Sequence, residues 1–440
     1  MGNTDLRQAV RGQVWLPGEA GFDDETKAWN TTVAQPVAAV VEIADADDAA
    51  TLVDFARQAG IGLAVQPRGH GASGNVDGLI LVRTKRLDSV EVDPDRRSVR
   101  VGAGSNWGRV LEEAGKHGLT GLAGSAPGVS VAGFSLGGGL SWFSRKYGRA
   151  ADSVTALEIV DADGNQSRVT AESDPDLFWA LRGGGGDFAL VTALEFRLYA
   201  EPNLYGGRIT WPVQQAAEVF AAFRELTSDA PHELSVWFTR IQVPQVPPMA
   251  ILDVAYLGER HEAEHLLAGL GKIDGVMSDK RDLMPTAALG DITAEPTGPS
   301  PIMSRTEILT GLDDAVAEYL VSAPTEPLAG IQVRHLGGEL GRAGSDTGAG
   351  AKQSGPYLMT LLGFAFNPQL APAIAGKQAE IVAAVEDAVS GRKPYTFLGR
   401  GDTAAQAFPA DALTRLRELK RTRDPENVFR ANFPVLAEPE

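Results

Sequence analysis

The stretch VQPRGHGASG, Val65 to Gly74, follows a short apolar segment and sets one of the chain's six histidines among glycines. Glycine lets backbone come close to something flat or phosphorylated. A lone histidine on so bare a loop is poorly placed to fill a core. The stretch therefore reads as backbone laid against a ligand.

The flanking residues supply a scaffold. Residues 38–66 read as strand, helix, strand. AAVVEI is a short apolar strand. DADDAATLVDFARQAG has acids in its first turn, Leu52, Phe55 and Ala56 on one side, Arg57 near its end and Gly60 as a stop. Those are helix signals. IGLAVQ is the second strand, and it delivers His70. A similar unit follows in SVRVGAGSNWGRVLEEAGKHG: a strand, a glycine turn and a helix with a Glu112–Lys116 pair. Glycine-rich residues 121–148 are too apolar and irregular for a flexible linker. They read as ordered backbone around a ligand. TALEIVDADGNQSRVT is a hairpin turning at Asp163-Gly164. DPDLFWALRGGGG is a helix capped by Asp174, with Pro175 in first position and Gly183 beyond its end. FALVTALEFRLY is another strand.

From about residue 205 the glycine-rich loops thin out. GRITW, ELSVWFTRIQV, AILDVAYL, AGIQVRHLGG and YLMTLLGFAF read as strands, alternating with helices at 213–229, 258–270, 311–323 and 376–390. This is the pattern of a separate α+β unit on an antiparallel sheet. The tail FPADALTRLRELKRTRDPENVFRANFPV reads as an amphipathic helix, a turn and a short apolar end.

Composition narrows the function. The 440 residues allow two or three domains, and an apolar share of 43% is ordinary for a globular protein. A net charge of −17 argues against nucleic-acid or polybasic membrane binding, which need cationic surface, and favours a small-molecule partner. With no cysteine, disulfides, thiolate metal sites and cysteine nucleophiles are excluded. The first residues have no apolar run of signal-peptide length, and no run reaches the roughly 18 residues of a membrane span. A cytoplasmic protein, monomeric or homodimeric, is expected.

Two familiar patterns read as something else. RHEAEH, Arg260 to His265, matches the zinc-protease pattern H-E-x-x-H. On a helix, however, Ala263, Leu266, Leu267 and Leu270 share one face and turn His261 and His265 to solvent, whereas a zinc helix points both into a cleft. No metal is expected. VGAGSNWG spaces its glycines as G-x-G-x-x-x-G, which is not the dinucleotide fingerprint. A tight strand–helix turn is the better reading. Three glycine clusters (around His70, over 121–139 and at 183–186) instead suggest backbone along an extended cofactor, cradling a pyrophosphate through N–H groups.

Together the motifs RGQVWLPGEAGFDDETKAWN, RGHGASG, GSAPGVSVAGFSLGGGLSWFSRKYGRAAD, LFWALRGGGGDFALVT and LKRTRDPENVFRANFPV resemble the flavoproteins of the vanillyl-alcohol-oxidase and p-cresol-methylhydroxylase superfamily, most closely the berberine-bridge-enzyme group. The resemblance implies an α+β fold of two domains: a PCMH-type FAD-binding domain over 1–204, joined by 405–440, and a substrate domain over 205–404 with an antiparallel sheet flanked by helices. The group's C-terminal segment spans about 395–437. The cofactor implied is FAD, covalent through His70. The electron-poor ring acidifies its 8α-methyl, a quinone-methide-like species forms, and neutral imidazole adds to it, raising the reduction potential. A non-covalent or structural His70 is the alternative.

By position, the resemblance assigns the cofactor to Gln66, Pro67, Arg68, Gly69, His70, Gly71 and Ala72. It adds Ser125, Ala126, Val129, Ser130, Gly133, Phe134, Ser135, Gly138, Gly139 and Leu140, with Tyr147, Val191 by the adenine and Asn432 from the tail. There are departures. Ala126 stands where many relatives have a second, cysteinyl link, so a single bond is implied. Gln66 and Arg68 replace an arginine and a glycine. Asp187 replaces a frequent asparagine, and its carboxylate near a phosphate would need an offset such as Arg182. Val129 occupies the oxygen gate, and its size goes with O2 as acceptor.

The implied activity is an oxidase that takes hydride from a small organic alcohol or amine. Such a reaction usually needs a base. The glutamate that plant relatives use has no visible counterpart in PYLMTLLGFAF. Candidates are Arg334, His335, Tyr357 and Tyr395. Strand alternation puts Arg334 and His335 on opposite faces, so at most one faces the site. Rival readings are a dehydrogenase with another acceptor, a metalloprotease, and a flavin-carrying protein without turnover.

Overall fold

The computed structural model describes residues 3–436 except 245, 343–346 and 351. Among these residues, three sheets organise the chain.

The first follows directly from the helix signals. Helix Ala46–Ala59 starts at Asp45, whose side chain accepts from the N–H of Asp48, and ends at Gly60 with φ 65°. Its Leu52, Val53 and Ala56 are fully buried against Val41 and Val82. That packing brings strands Ala39–Glu42, Ile80–Arg83 and Leu63–Val65 into parallel register, with Gln13–Trp15 antiparallel at the edge. The second sheet is antiparallel, in the order Val90–Asp93, Ser98–Gly102, Leu190–Arg197, Val154–Val160, Gln166–Val169. Helix Pro175–Leu181 is capped by Asp174 as expected, and Gly183 beyond it takes φ 106°.

The second half builds the large antiparallel sheet. Its order is Ser278–Asp279, Asn203–Pro212, Met249–Tyr256, Leu234–Ile241, Gly330–His335, Tyr357–Phe364, Ile302–Leu309, and Asp282–Pro285 also pairs with Asn203–Pro212. One face carries Phe238, Leu252, Val333 and Met359 into an apolar core under helices Ala216–Ser228, Asp314–Ser322 and Ala371–Ala384. The other face carries Asp253, Trp237, Arg334, Leu358 and Ile308 toward the first half.

The structure differs from the sequence reading in several places. Strand Ile302–Leu309 was not expected. Helix Arg260–Leu266 is shorter than 258–270 and passes into a 3-10 turn, Ala268–Lys272. The last sheet-covering helix is Ala371–Ala384, earlier than 376–390. Lys116 pairs with Glu113, at 2.8 Å, rather than with Glu112.

The tail is bound tightly to the first half. It runs beside strand Leu63–Val65, with Leu63 donating to the Val428 carbonyl at 2.7 Å and Arg430 donating to the Leu63 carbonyl at 2.9 Å. Helix Ala410–Arg423 buries Lys420, whose Nζ donates to Asp424 Oδ2 at 2.7 Å, the Phe429 carbonyl at 2.7 Å and the Asp187 carbonyl at 2.6 Å. The Asp187 carboxylate accepts from the N–H of Ala431 at 2.8 Å and of Val435 at 2.7 Å. Asp187 therefore serves the tail, not a phosphate, and its nearby cation is Lys420 rather than Arg182. Breaking a buried charged network strands its partners without water. Asp187→Ala and Lys420→Met are each expected to lower stability by about 3–5 kcal/mol, read from urea unfolding. A loss under about 1 kcal/mol, no more than an ordinary hydrogen bond, would show that apolar packing alone holds the tail.

Candidate functional site

A cavity of about 2030 Å³ lies between the glycine loops and the polar face of the large sheet. Single small-ligand sites usually take roughly 300–1,000 Å³, so this one has room for an extended cofactor and a second molecule.

The loop of Val65–Gly74 forms one wall. Gly69 adopts φ 72°, and a Cβ there would lie 3.1 Å from the Ala28 backbone, so only glycine lets the two segments meet. The backbone N–H groups of Gly69, His70 and Gly71 make no hydrogen bond within the described protein. Consecutive free amides of this kind suit an anion. His70 stacks on Trp29, with ring centroids 4.7 Å apart, and its Nδ1 is buried without a partner. Burial, reinforced by the charge of Arg68, pushes the imidazole down to about 4, so it is neutral near pH 7.

Neighbouring groups hold that loop in place. The Gln66 amide donates to Asn432 Oδ1 at 3.0 Å, and Asn75 donates to the Asn432 carbonyl at 3.2 Å. Buried Arg83 donates to the carbonyls of Gln66, Glu25 and Lys27. A Cβ on Gly71 or Gly133 would meet no protein atom closer than 3.9 Å and would project into the cavity. The bare backbone, the free amides and the orphaned imidazole nitrogen fit a flat, phosphorylated group such as FAD.

Of the residues that the sequence points to, Gln66, Pro67, Arg68, Gly69, His70, Gly71, Ala72, Ser125, Ala126, Val129, Ser130, Gly133, Phe134, Leu140 and Asn432 line this cavity. Gly139 borders a smaller adjoining pocket. Ser135 is buried in helix Val131–Leu136, and Gly138, at φ 98°, packs on Arg149. Val191 is buried in the five-stranded sheet, behind the wall. Tyr147 turns away and donates to Glu201, with burial and that carboxylate holding its phenol well above the usual range.

The candidate bases fare unequally. Arg334 faces the cavity. His335 lies on the other face of the strand, with Nε2 3.0 Å from Arg145 Nη1; burial and that guanidinium push it down to about 3. Tyr395 borders the cavity, but its hydroxyl donates to the Phe433 carbonyl at 3.3 Å and burial raises its phenol strongly. Tyr357 pairs with Thr227 at 3.0 Å. His335, Tyr395 and Tyr357 are thus occupied structurally and are poor bases.

The acids missing from PYLMTLLGFAF are elsewhere on the wall: Glu295, Glu307 and Asp402. Glu307 pairs with Arg305 at 2.9 Å, and Lys393 reaches Asp402 at 2.9 Å and Glu307 at 3.4 Å. Reading strand Ile302–Leu309 from IMSRTEIL would have found Glu307. Its four consecutive polar residues hide the alternation, because this edge strand meets the cavity. His261 and His265 are exposed on either side of buried Ala263, and no group of three potential metal ligands occurs among the described residues. No described helix is long and apolar enough to cross a membrane.

The cavity's first wall coincides with a recognised domain: residues 37–170 match the FAD binding domain family. The chain is 28% identical to (R)-6-hydroxynicotine oxidase of Paenarthrobacter nicotinovorans, over 97% of each chain. The chain is an FAD-dependent oxidoreductase. It is also 37% identical to an FAD-dependent monooxygenase of Cochliobolus heterostrophus, over 46% of this chain and 39% of that relative. The crystal structure of 6-hydroxy-D-nicotine oxidase from Arthrobacter nicotinovorans superposes with a TM-score of 0.87, covering 100% of both chains at 23% identity. A berberine-bridge-enzyme-like protein of Physcomitrella patens superposes equally well, at 0.87 and 20% identity over 99% of each chain. The oxidoreductase thus has the fold of these two proteins.

A pH dependence follows from His335. Its folded-state value, about 3, lies below the ordinary 6.5, so the unfolded chain binds the proton more readily. Its contribution is complete above pH 6.5 and is lost as pH falls toward 3. The slope is ~1.4 kcal/mol per pH unit. His335→Gln should flatten the decline of urea-unfolding stability between pH 6 and 4 by about that slope. An unchanged decline would show that His335 is not the group responsible.

Proposed function

We propose that this oxidoreductase is an oxidase, with FAD joined to the chain by one bond to His70, acting on a small organic alcohol or amine and passing its electrons to O2. The observation that carries the reading is the neutral, partnerless imidazole of His70 on a glycine loop at the cavity wall. A protonated ring could not act as a nucleophile; this one keeps its lone pair. Bound FAD would supply a two-electron acceptor for hydride. Residues 1–204 with 405–440 would hold it, and residues 205–404 would present the substrate.

The chain's own groups divide the remaining tasks. The loop amides of Gly69 to Gly71 would neutralise phosphate without a side-chain cation. Trp29 fixes the plane of His70, and Asn432 and Arg83 fix the loop behind it. Tyr395, locked to Phe433, forms a rigid wall. Among the wall carboxylates, Glu307 and Asp402 are committed to Arg305 and Lys393. Glu295 has no hydrogen bond or ion pair among the described residues. It is the carboxylate free to take a proton from the substrate. Ala126 offers no second attachment, and Val129 leaves a small side chain in the loop beside it.

The denatured wild-type protein should give a fluorescent yellow band on a gel, and His70→Ala should lose it. Substrate-bleached enzyme should regain its colour in aerated buffer and release hydrogen peroxide. A dark wild-type band would refute the covalent bond. Colour that returns only with an added acceptor would make the protein a dehydrogenase.

A further inference from the structure

Arg334 is built into the cavity wall with unusual care for a charged group. Its guanidinium lies 3.8 Å from the Trp237 ring and 5.6 Å from the Phe397 ring. Trp237 is itself stacked on Trp142, with centroids 3.6 Å apart, so this platform cannot shift freely. Nε donates to Oε1 of Gln332 at 2.6 Å, and the Gln332 amide donates to Thr239 Oγ1 at 3.1 Å. The two Nη atoms make no hydrogen bond or ion pair among the described residues, and they are not sealed from the cavity.

The surrounding charges leave that fork open. Asp253 is taken by Arg208, at 2.6 and 3.0 Å. Glu295 acts on Arg334 through space without touching it. Elsewhere on the wall Arg305 is matched by Glu307, and Lys393 by Asp402. Arg68 and Arg400 border the cavity too, but both are exposed to solvent. A guanidinium with a fixed stem and free Nη atoms presents the planar fork that a carboxylate fills with two parallel hydrogen bonds. Holding it partly desolvated and unpaired is costly unless a ligand brings the opposite charge.

We propose that Arg334 receives a carboxylate of the substrate, so that the alcohol or amine oxidised is one that also carries an acid group. This rests on the flavin-oxidoreductase reading above and deepens it. Two hydrogen bonds to the fork fix one end of the substrate and its rotation. Trp237 and Phe397 keep water from competing at that end. Glu295, on the same wall, repels an anion that misses Arg334, which favours a single orientation.

The test uses the full-length flavin-loaded enzyme, with benzoate and its uncharged counterpart benzamide as probes at pH 7. Binding is read from the visible flavin spectrum and independently from tryptophan fluorescence, since Trp237 lies beneath Arg334. Wild type should bind benzoate at least tenfold more tightly than benzamide. Arg334→Gln should remove that preference with little change for benzamide, and Arg334→Lys should restore part of it. Equal affinity for the two probes, or no binding of either to the wild type, overturns the proposal without using any variant. A preference that survives in Arg334→Gln, accompanied by a shifted flavin reduction potential, also overturns it and assigns the fork to the cofactor. A colourless protein defeats the flavin reading instead. In that event a benzoate preference seen by fluorescence still supports the carboxylate site, and its absence still refutes it.

Discussion

Burial of the Lys420 ammonium between Asp424 and two backbone carbonyls, those of Asp187 and Phe429, is the constraint on which the site depends. A buried charge is tolerable only when fully paired. Here one cation ties together helix Ala410–Arg423, the strand-like tail at Phe429 and the glycine turn at Asp187. Asp187 completes the arrangement by accepting from Ala431 and Val435 on either side of Asn432 and Phe433. The tail therefore cannot slide by a residue without stranding both charges.

That fixed register sets the cradle. Asn432 reaches Gln66, and Phe433 accepts from Tyr395. A residue from the tail thus orients the loop that carries His70, while another orients the far wall. Both walls of the cavity are referred to one short segment, which is itself referred to Lys420. The free amides of the loop need no cationic partner because their geometry is preset by this packing and by Arg83 behind them. Preorganised backbone is how an acidic protein can hold a phosphorylated group without surrounding it with lysine and arginine.

What could be read from the chain alone follows the range of the interactions involved. Helix caps at Asp45 and Asp174, the stop at Gly60 and the turn at Gly164 are local, and each stands where residues a few positions away put it. That His70's loop would border a cavity was legible because its glycines have few other uses. Asp187 was misread because its partners lie about 240 residues away in sequence. His335 and Tyr395 were misread for a related reason. Nothing near either residue reveals Arg145 or the Phe433 carbonyl. Strand Ile302–Leu309 escaped notice because its middle faces a wet cavity, so the apolar alternation that marks a buried strand is missing there.

The two faces of the large sheet explain how one scaffold keeps its fold while its site remains free to vary. The helix side is a continuous apolar core, which fixes strand register because a one-residue slip would expose it. The cavity side is not needed for that purpose and carries Arg334, Gln332, Thr239, Thr360 and Thr306. It is held against the first half by the Trp142–Trp237 stack beneath Arg334, and by Arg145 bonding to the carbonyls of Leu234, Ala230 and Leu336. Stability and recognition are thus assigned to opposite sides of the same strands. A change at Arg334 should reach the bound molecule before it reaches the fold, while a change at Val333, one residue earlier, would do the reverse.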